Sequence, residues 1–177
     1  MTVEVVGRGD LADSLRSRVA SDVEATVIVV AGRARAVRVS DITDDEIDEQ
    51  WERPMQDLIS GLQGAHARGA QRIVVVVPTT GMSGGAEYSA TAALAEAARV
   101  LVKSAARQWG ASGVTVNAVA VDPQTFGIDP AKSGPVSIAP RALEGAVDPT
   151  ATVQWLCSAA AAHVTGQTVV CDGGLWM

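Results

Sequence analysis

Two runs of continuous apolar, mostly β-branched residues decide what this chain can become: Ala25–Ala31 (ATVIVVA) and Arg72–Val77 (RIVVVV). A strand with water on one face alternates polar and apolar residues. These runs do not alternate, so they suit strands buried on both faces of a sheet. Val114–Val121 (VTVNAVAV) adds a further strand, with shorter ones at Thr2–Val6 (TVEVV) and Thr168–Val170. Helical patterns lie between them. Gly7–Val19 reads as a turn opening into a helix, with Leu11, Leu15 and Val19 recurring every four residues. Ser40-Asp41 and the acidic run to Glu49 cap and lead a helix that continues to about Arg68. Pro54 is a point at which that helix can split. Tyr88–Trp109 and Thr150–Ala162 are further helices. Thr79–Gly85 reads as a Gly-rich loop and Asp122–Gly145 as an irregular segment. Strands alternating with helices imply a parallel sheet covered on both faces.

Composition narrows the class. A length of 177 residues suits one domain spanning 1–177 and is enough to bury a core. Hydrophobic residues make up 47%, which argues against disorder. The net charge of −6 argues against nucleic acid and anionic membranes as partners. Cys157 and Cys171 stand alone, without the spacing of a zinc site or a disulfide framework, so buried inert thiols and no metal are expected. No signal peptide or membrane-spanning run is visible, and the cytoplasm is the simplest location.

The stretch Tyr88–Asp122 (YSATAALAEAARVLVKSAARQWGASGVTVNAVAVD) resembles the central segment of the short-chain dehydrogenase/reductase (SDR) family. In that family a Tyr opens a long helix, a Lys follows four residues later, and a strand reading roughly RVNAV-PG comes next. The C-terminal AAAAHVTGQTVVCDGGLWM is similar to the family's ending, where a TGQ turn leads into a strand and a DGG. Val27–Gly32 (VIVVAG) matches the strand that usually ends in NNAG, and Arg72–Val77 followed by Gly81 matches the strand and loop of the catalytic Ser. Several matches in one order imply an α/β fold, a reduced Rossmann-like doubly wound parallel sheet.

The departures are as informative. The family places about two strands and two helices between its first helix and the VVAG strand, whereas Val19 and Ala25 are almost adjacent. The resemblance therefore implies a sheet without the strands of the adenine-binding wing, leaving the first strand at an exposed edge. Gly7-Arg8-Gly9-Asp10-Leu11-Ala12 fits G-x-G-x-x-A after a strand, which makes Gly7 and Gly9 candidate cofactor-binding residues at a helix N-terminus. Asp10 would repel a pyrophosphate there. The alternative is that the two glycines make a tight strand-to-helix turn.

SDR chemistry combines a Tyr acid/base, a Lys that lowers its pKa and holds the nicotinamide ribose, and a Ser that polarises the substrate carbonyl. Tyr88 matches the Tyr, as a vestige or as an acid/base. Ala92 takes the Lys position. Lys103 lies ~22 Å further along the helix and cannot replace it. Pro78 takes the Ser position, leaving Thr79 or Thr80 as substitutes only if the loop is re-registered. Val30 replaces an Asn of NNAG, and Asp57-Leu58 occupies the place of the helix Asn.

What the family uses for assembly is better kept. SDR subunits pair through the helix after the Tyr and the helix before the Ser strand. Here Leu94, Leu101 and Val102 recur among small alanines. The tail DGGLWM resembles a second family interface, with Trp176-Met177 expected to dock. Some SDR-type enzymes contain two different subunits, only one of them catalytic, and this chain resembles the inactive kind. The resemblance implies an intact SDR partner contacting the Tyr88–Trp109 helix and the C-terminal tail, or a homo-oligomer. It implies no cofactor on this chain and NAD(P) on the partner, whose substrate would be a hydroxyacyl or ketoacyl thioester. Two alternatives stand beside it: an active divergent NAD(P)H-dependent reductase using Tyr88 with Thr79 or Thr80, and a non-catalytic acyl- or nucleotide-binding regulatory protein.

Overall fold

The computed structural model describes residues 3–30, 34–133 and 147–175. Five strands form one parallel sheet in the order β1 (Val3–Val6), β2 (Ala25–Val29), β3 (Arg72–Pro78), β4 (Thr115–Val121) and β5 (Thr168–Cys171). Val5 pairs with Val27, Val27 with Val74, Val74 with Asn117, and Val119 with Val169. Each strand neighbours the next in sequence, so among the described residues β1 has a partner on one side only. That is the sheet expected of a chain without the adenine-side strands.

The central strands are buried along their whole length, as their unbroken apolar runs require. One face of the sheet packs Ile28, Ile73, Val75, Val116 and Ala118 beneath α3 (Arg53–Ala67) and α5 (Ser89–Trp109). The other face packs Val5, Val27, Val74 and Val119 beneath α1 (Asp10–Arg18) and α7 (Thr150–Cys157). Leu94, Ala98 and Val102 of α5 and Leu15 of α1 are fully enclosed. Among the described residues no helix is long and apolar enough to cross a membrane.

Local chemistry moved several boundaries. The helix expected from Ser40-Asp41 begins instead after a single 3₁₀ turn at Val39–Asp41. Thr43 caps α2 (Asp44–Ile47) through a reciprocal box with Glu46, two donors satisfied at once. Pro54 does not split the helical stretch. The backbone stays helical from α2 into α3, and the ladder widens to a π-helical turn at Asp48–Glu52 just before the proline. A widened turn accommodates the hydrogen bond that proline cannot make. The Gly-rich loop holds a short helix, α4 (Thr80–Ser83), that ends on Gly84 in the left-handed region. The helix expected over Thr150–Ala162 stops at Cys157, because Ser158 turns extended before a 3₁₀ turn at Ala159–Ala161. The segment after Asp122 contains a 3₁₀ turn (Pro123–Phe126) and α6 (Pro130–Ser133). Residues 134–145 of that segment, the end of the VVAG strand and the Trp176-Met177 tail lie outside the described residues.

Candidate functional site

The C-terminal ends of β3 and β4 carry the residues the sequence points to. Tyr88 does not ride on α5. It is the residue before the first turn, with φ −119° and ψ 35°. Its ring is buried at 4% exposure. Its hydroxyl oxygen accepts the backbone N–H of Asp129 at 3.1 Å. Two more bonds tie the same segments: Ala86 N–H to the Ser133 carbonyl at 2.8 Å and Glu87 N–H to the Lys132 carbonyl at 3.0 Å. From the other side, Val37 N–H donates to the Glu87 carbonyl at 2.6 Å, making an isolated parallel bridge between Val37 and Tyr88. Tyr88 thus sits between two backbone strips.

Ala92, at the expected Lys position, is 4% exposed. The α4 turn lies over it: a Cβ on Gly81 would meet the Ala92 carbonyl oxygen at 2.9 Å and the Ala95 Cβ at 3.0 Å. The cation nearest in sequence on α5, Arg99, is committed elsewhere. Its guanidinium pairs with Glu96 at 2.5 Å and donates to the Thr168 hydroxyl at 3.3 Å. Lys103 is exposed a turn further on.

Thr79 and Thr80 are fully buried at the end of β3, and neither hydroxyl has a hydrogen-bond partner among the described residues. The Ser133 hydroxyl is buried and likewise without a partner among the described residues. Gly85 brings Thr80 and Tyr88 together. A Cβ there would fall 2.2 Å from the Thr80 methyl and 3.5 Å from the Tyr88 Cβ. Pro78 is the last residue of β3, its ring in the buried layer. The structure therefore gathers Tyr88, Thr80 and the 129–133 segment, with Thr79 beside them at the strand end.

Gly7 and Gly9 lie apart from this cluster, at the β1–α1 turn. Gly7 has φ +130°, and a Cβ there would stand 2.8 Å from the Val29 carbonyl oxygen. Glycine is needed at that position for the close crossing of β1 past β2. Gly9 precedes α1 with φ +96° and open space around it. Its neighbour Asp10 is exposed and opens the helix.

Asn117 acts as a tie. Its amide donates to the Val164 carbonyl at 2.8 Å and accepts the Gln167 N–H at 3.1 Å, fixing the turn before β5. Sequence reasoning missed Asp129, Val37 and the Glu46–Arg35 ion pair, which docks the strip that carries Val37. Only the Thr43-x-x-Glu46 box was a readable signal for that docking.

A family model described as Enoyl-(Acyl carrier protein) reductase matches residues 10–176. The 3-oxoacyl-(acyl-carrier-protein) reductases FabG of Staphylococcus aureus strains Mu50 and MW2 are each 39% identical over 108 residues, covering 58% of this chain and 43% of theirs. The chain thus spans less than half the length of these curated relatives. Among solved structures, levodione reductase superposes with a TM-score of 0.65 at 20% identity, over 85% of this chain and 66% of that one. A short chain oxidoreductase from Pseudomonas aeruginosa PAO1, described as containing an atypical catalytic center, superposes with a TM-score of 0.67 at 21% identity, over 84% and 66%. The structural likenesses show the fold, and the family match, which runs almost the whole length, shows that this chain belongs to the short-chain dehydrogenase/reductase family.

Proposed function

We propose that this chain is a non-catalytic subunit that pairs with an intact NAD(P)-dependent SDR and supports its stability or its substrate pocket. The observation that carries the reading is Ala92. The place expected to present a lysine is a buried alanine whose carbonyl oxygen lies close to the α4 turn, and no charge can assist Tyr88 from there. The Tyr88 hydroxyl supports it, since its oxygen is already engaged by the Asp129 N–H. An exposed apolar stripe supports pairing. Ile47, Trp51 and Ile59 on the α2–α3 helix and Val100 on α5 are all more than a third exposed, on helices that cover the same face of the sheet. Large apolar side chains left in water on neighbouring helices are the raw material of an interaction site. The named relatives that reduce 3-oxoacyl carriers favour a hydroxyacyl or ketoacyl substrate for the partner.

A second reading is favoured by the buried hydroxyls of Thr79, Thr80 and Ser133, which lack partners among the described residues. Each such group is costly to leave unmet. A small neutral ligand, such as an acyl carbonyl, would satisfy them without turnover.

The test is co-expression with the full-length SDR encoded nearest to this chain, then native mass spectrometry and an NAD(P)H titration of chain and complex. A mixed assembly with one cofactor per partner subunit and none on this chain is expected. A homo-oligomer that binds NAD(P)H by itself overturns the proposal.

A further inference from the structure

A sheet that loses one wing gains an open edge. β1 (VEVV) is mostly β-branched, carries no proline and, among the described residues, hydrogen-bonds a neighbour on one side only. Such an edge offers a row of unpaired backbone groups to any extended chain, and natural proteins block it. Here the block is a side chain. The Arg16 guanidinium on α1 donates to the carbonyl oxygens of Val5 and Gly7, both at 3.2 Å. One guanidinium nitrogen reaches both carbonyls, that of Val5 within the strand and that of Gly7 just past its end. The other side of β1 is occupied by β2, so the Val5 carbonyl is met from the open edge. Asp13, one turn back on α1, fixes the guanidinium at 2.5 Å. Arg16 is thereby held across the edge by one carboxylate and two carbonyls.

The second face of the edge has its own closure. A groove of about 600 Å³ runs between β1 and α3, floored by Val6, Ile28 and Leu58. Arg68, just past the end of α3, lines it and forms an ion pair with Glu4 of β1.

We infer that Arg16 is an edge guard: its guanidinium occupies the acceptors that an added strand needs, and this keeps β1 from pairing with a second chain. The device stands in for the strands the family would place there. Arg16 is half-exposed and bears on no residue of the Tyr88 cluster, so the inference is independent of whether the chain is catalytic.

The test uses the full chain and three variants, Asp13→Asn, Arg16→Lys and Arg16→Ala, with circular dichroism to confirm the fold. The probe is a fluorescein-labelled peptide copying β1, read by anisotropy, with sedimentation velocity over a concentration series beside it. The wild-type chain is expected to ignore the peptide. Arg16→Ala is expected to bind it at least about tenfold more tightly, the scale of one charged hydrogen bond, and to form larger species as its concentration rises. Asp13→Asn and Arg16→Lys are expected to fall between. Arg16→Ala with an unchanged dichroism spectrum and wild-type behaviour in both assays overturns the inference. Where Arg16→Ala does not fold, Arg16→Lys and Asp13→Asn decide it, and wild-type behaviour of both overturns it equally.

Discussion

The backbone N–H of Asp129 donates to the Tyr88 hydroxyl oxygen at 3.1 Å, so the chain's single tyrosine is held by a loop backbone and not by a cation. The bond fastens the 129–133 segment to the start of α5. Tyr88→Phe keeps the ring and removes the acceptor. It should lower the unfolding free energy by about 1 kcal/mol, the net worth of a typical hydrogen bond, as read from the urea midpoint. In the co-expressed complex it should leave the reduction rate within about twofold of wild type, since on the proposed reading Tyr88 touches no reacting atom. A drop in rate of about a hundredfold or more would restore Tyr88 as a general acid.

Putting a lysine back should not restore chemistry. Ala92 is buried, with the α4 turn close to its carbonyl oxygen, and an ammonium there must displace its neighbours or stay buried. Ala92→Lys is expected to lose about 1–3 kcal/mol of stability and to show no NAD(P)H oxidation above background. Gain of oxidation by this single change would mean that the site is intact but for one residue.

The same contact predicts a contrast between two glycines. Gly84 has φ +93° and open space at its Cβ position, whereas Gly81 is not in the left-handed region but a Cβ there would stand 2.9 Å from the Ala92 carbonyl oxygen. Gly84→Ala should cost about 1 kcal/mol, from backbone strain alone. Gly81→Ala should cost about 1–3 kcal/mol, from crowding against α5. Calorimetric unfolding of the two variants separates these causes, and equal losses would count against the close packing of α4 on α5.

Much of this was legible in the residues. ATVIVVA and RIVVVV named the buried strands because a strand enclosed on both faces has no reason to alternate. The short gap between Val19 and Ala25 announced the lost wing, and β1 is an edge. Helix ends were less readable. Ser40-Asp41 and Thr43 are all competent caps, and the choice fell to Thr43 because Glu46 returns its hydrogen bond. The closure over Tyr88 was not legible at all. It depends on the amides and carbonyls of residues 129–133 and on Val37, and backbone groups leave no trace in side-chain identity.

The two cysteines should differ in reactivity. Burial pushes the Cys157 thiol up to about 12, so almost no thiolate exists at neutral pH. Cys171 is partly exposed and receives the Thr152 hydroxyl at 3.7 Å. Iodoacetamide at pH 8 should label Cys171 in the folded chain and both residues in guanidinium, with mass spectrometry locating the adducts. Equal labelling of Cys157 in the folded state would contradict the packing of α7 on the sheet.

The pH response at the start of α7 has a defined sign. The Asp148 carboxyl is held below its ordinary value first by the Thr150 hydroxyl, which faces it at looser geometry than a full hydrogen bond, then by the Thr150 N–H at 3.0 Å and by Arg18 at 2.6 Å. The folded state therefore binds the proton less readily than the unfolded chain. Its stabilising contribution is complete above the ordinary aspartate range, near ~3.9, and fades as pH falls through the lower folded value. Asp148 is about half exposed, so the contribution is a few tenths of a kcal/mol after solvent screening. Asp148→Asn keeps an acceptor for the Thr150 N–H and loses the charge. Its stability at pH 7 should fall slightly, and its loss between pH 5 and pH 3 should be shallower than that of the wild type by the same few tenths. Urea titrations at fixed pH across that range measure both. A variant curve steeper than the wild type, or one displaced by the same amount at pH 3 as at pH 7, would show that the carboxylate's charge does not hold the start of α7.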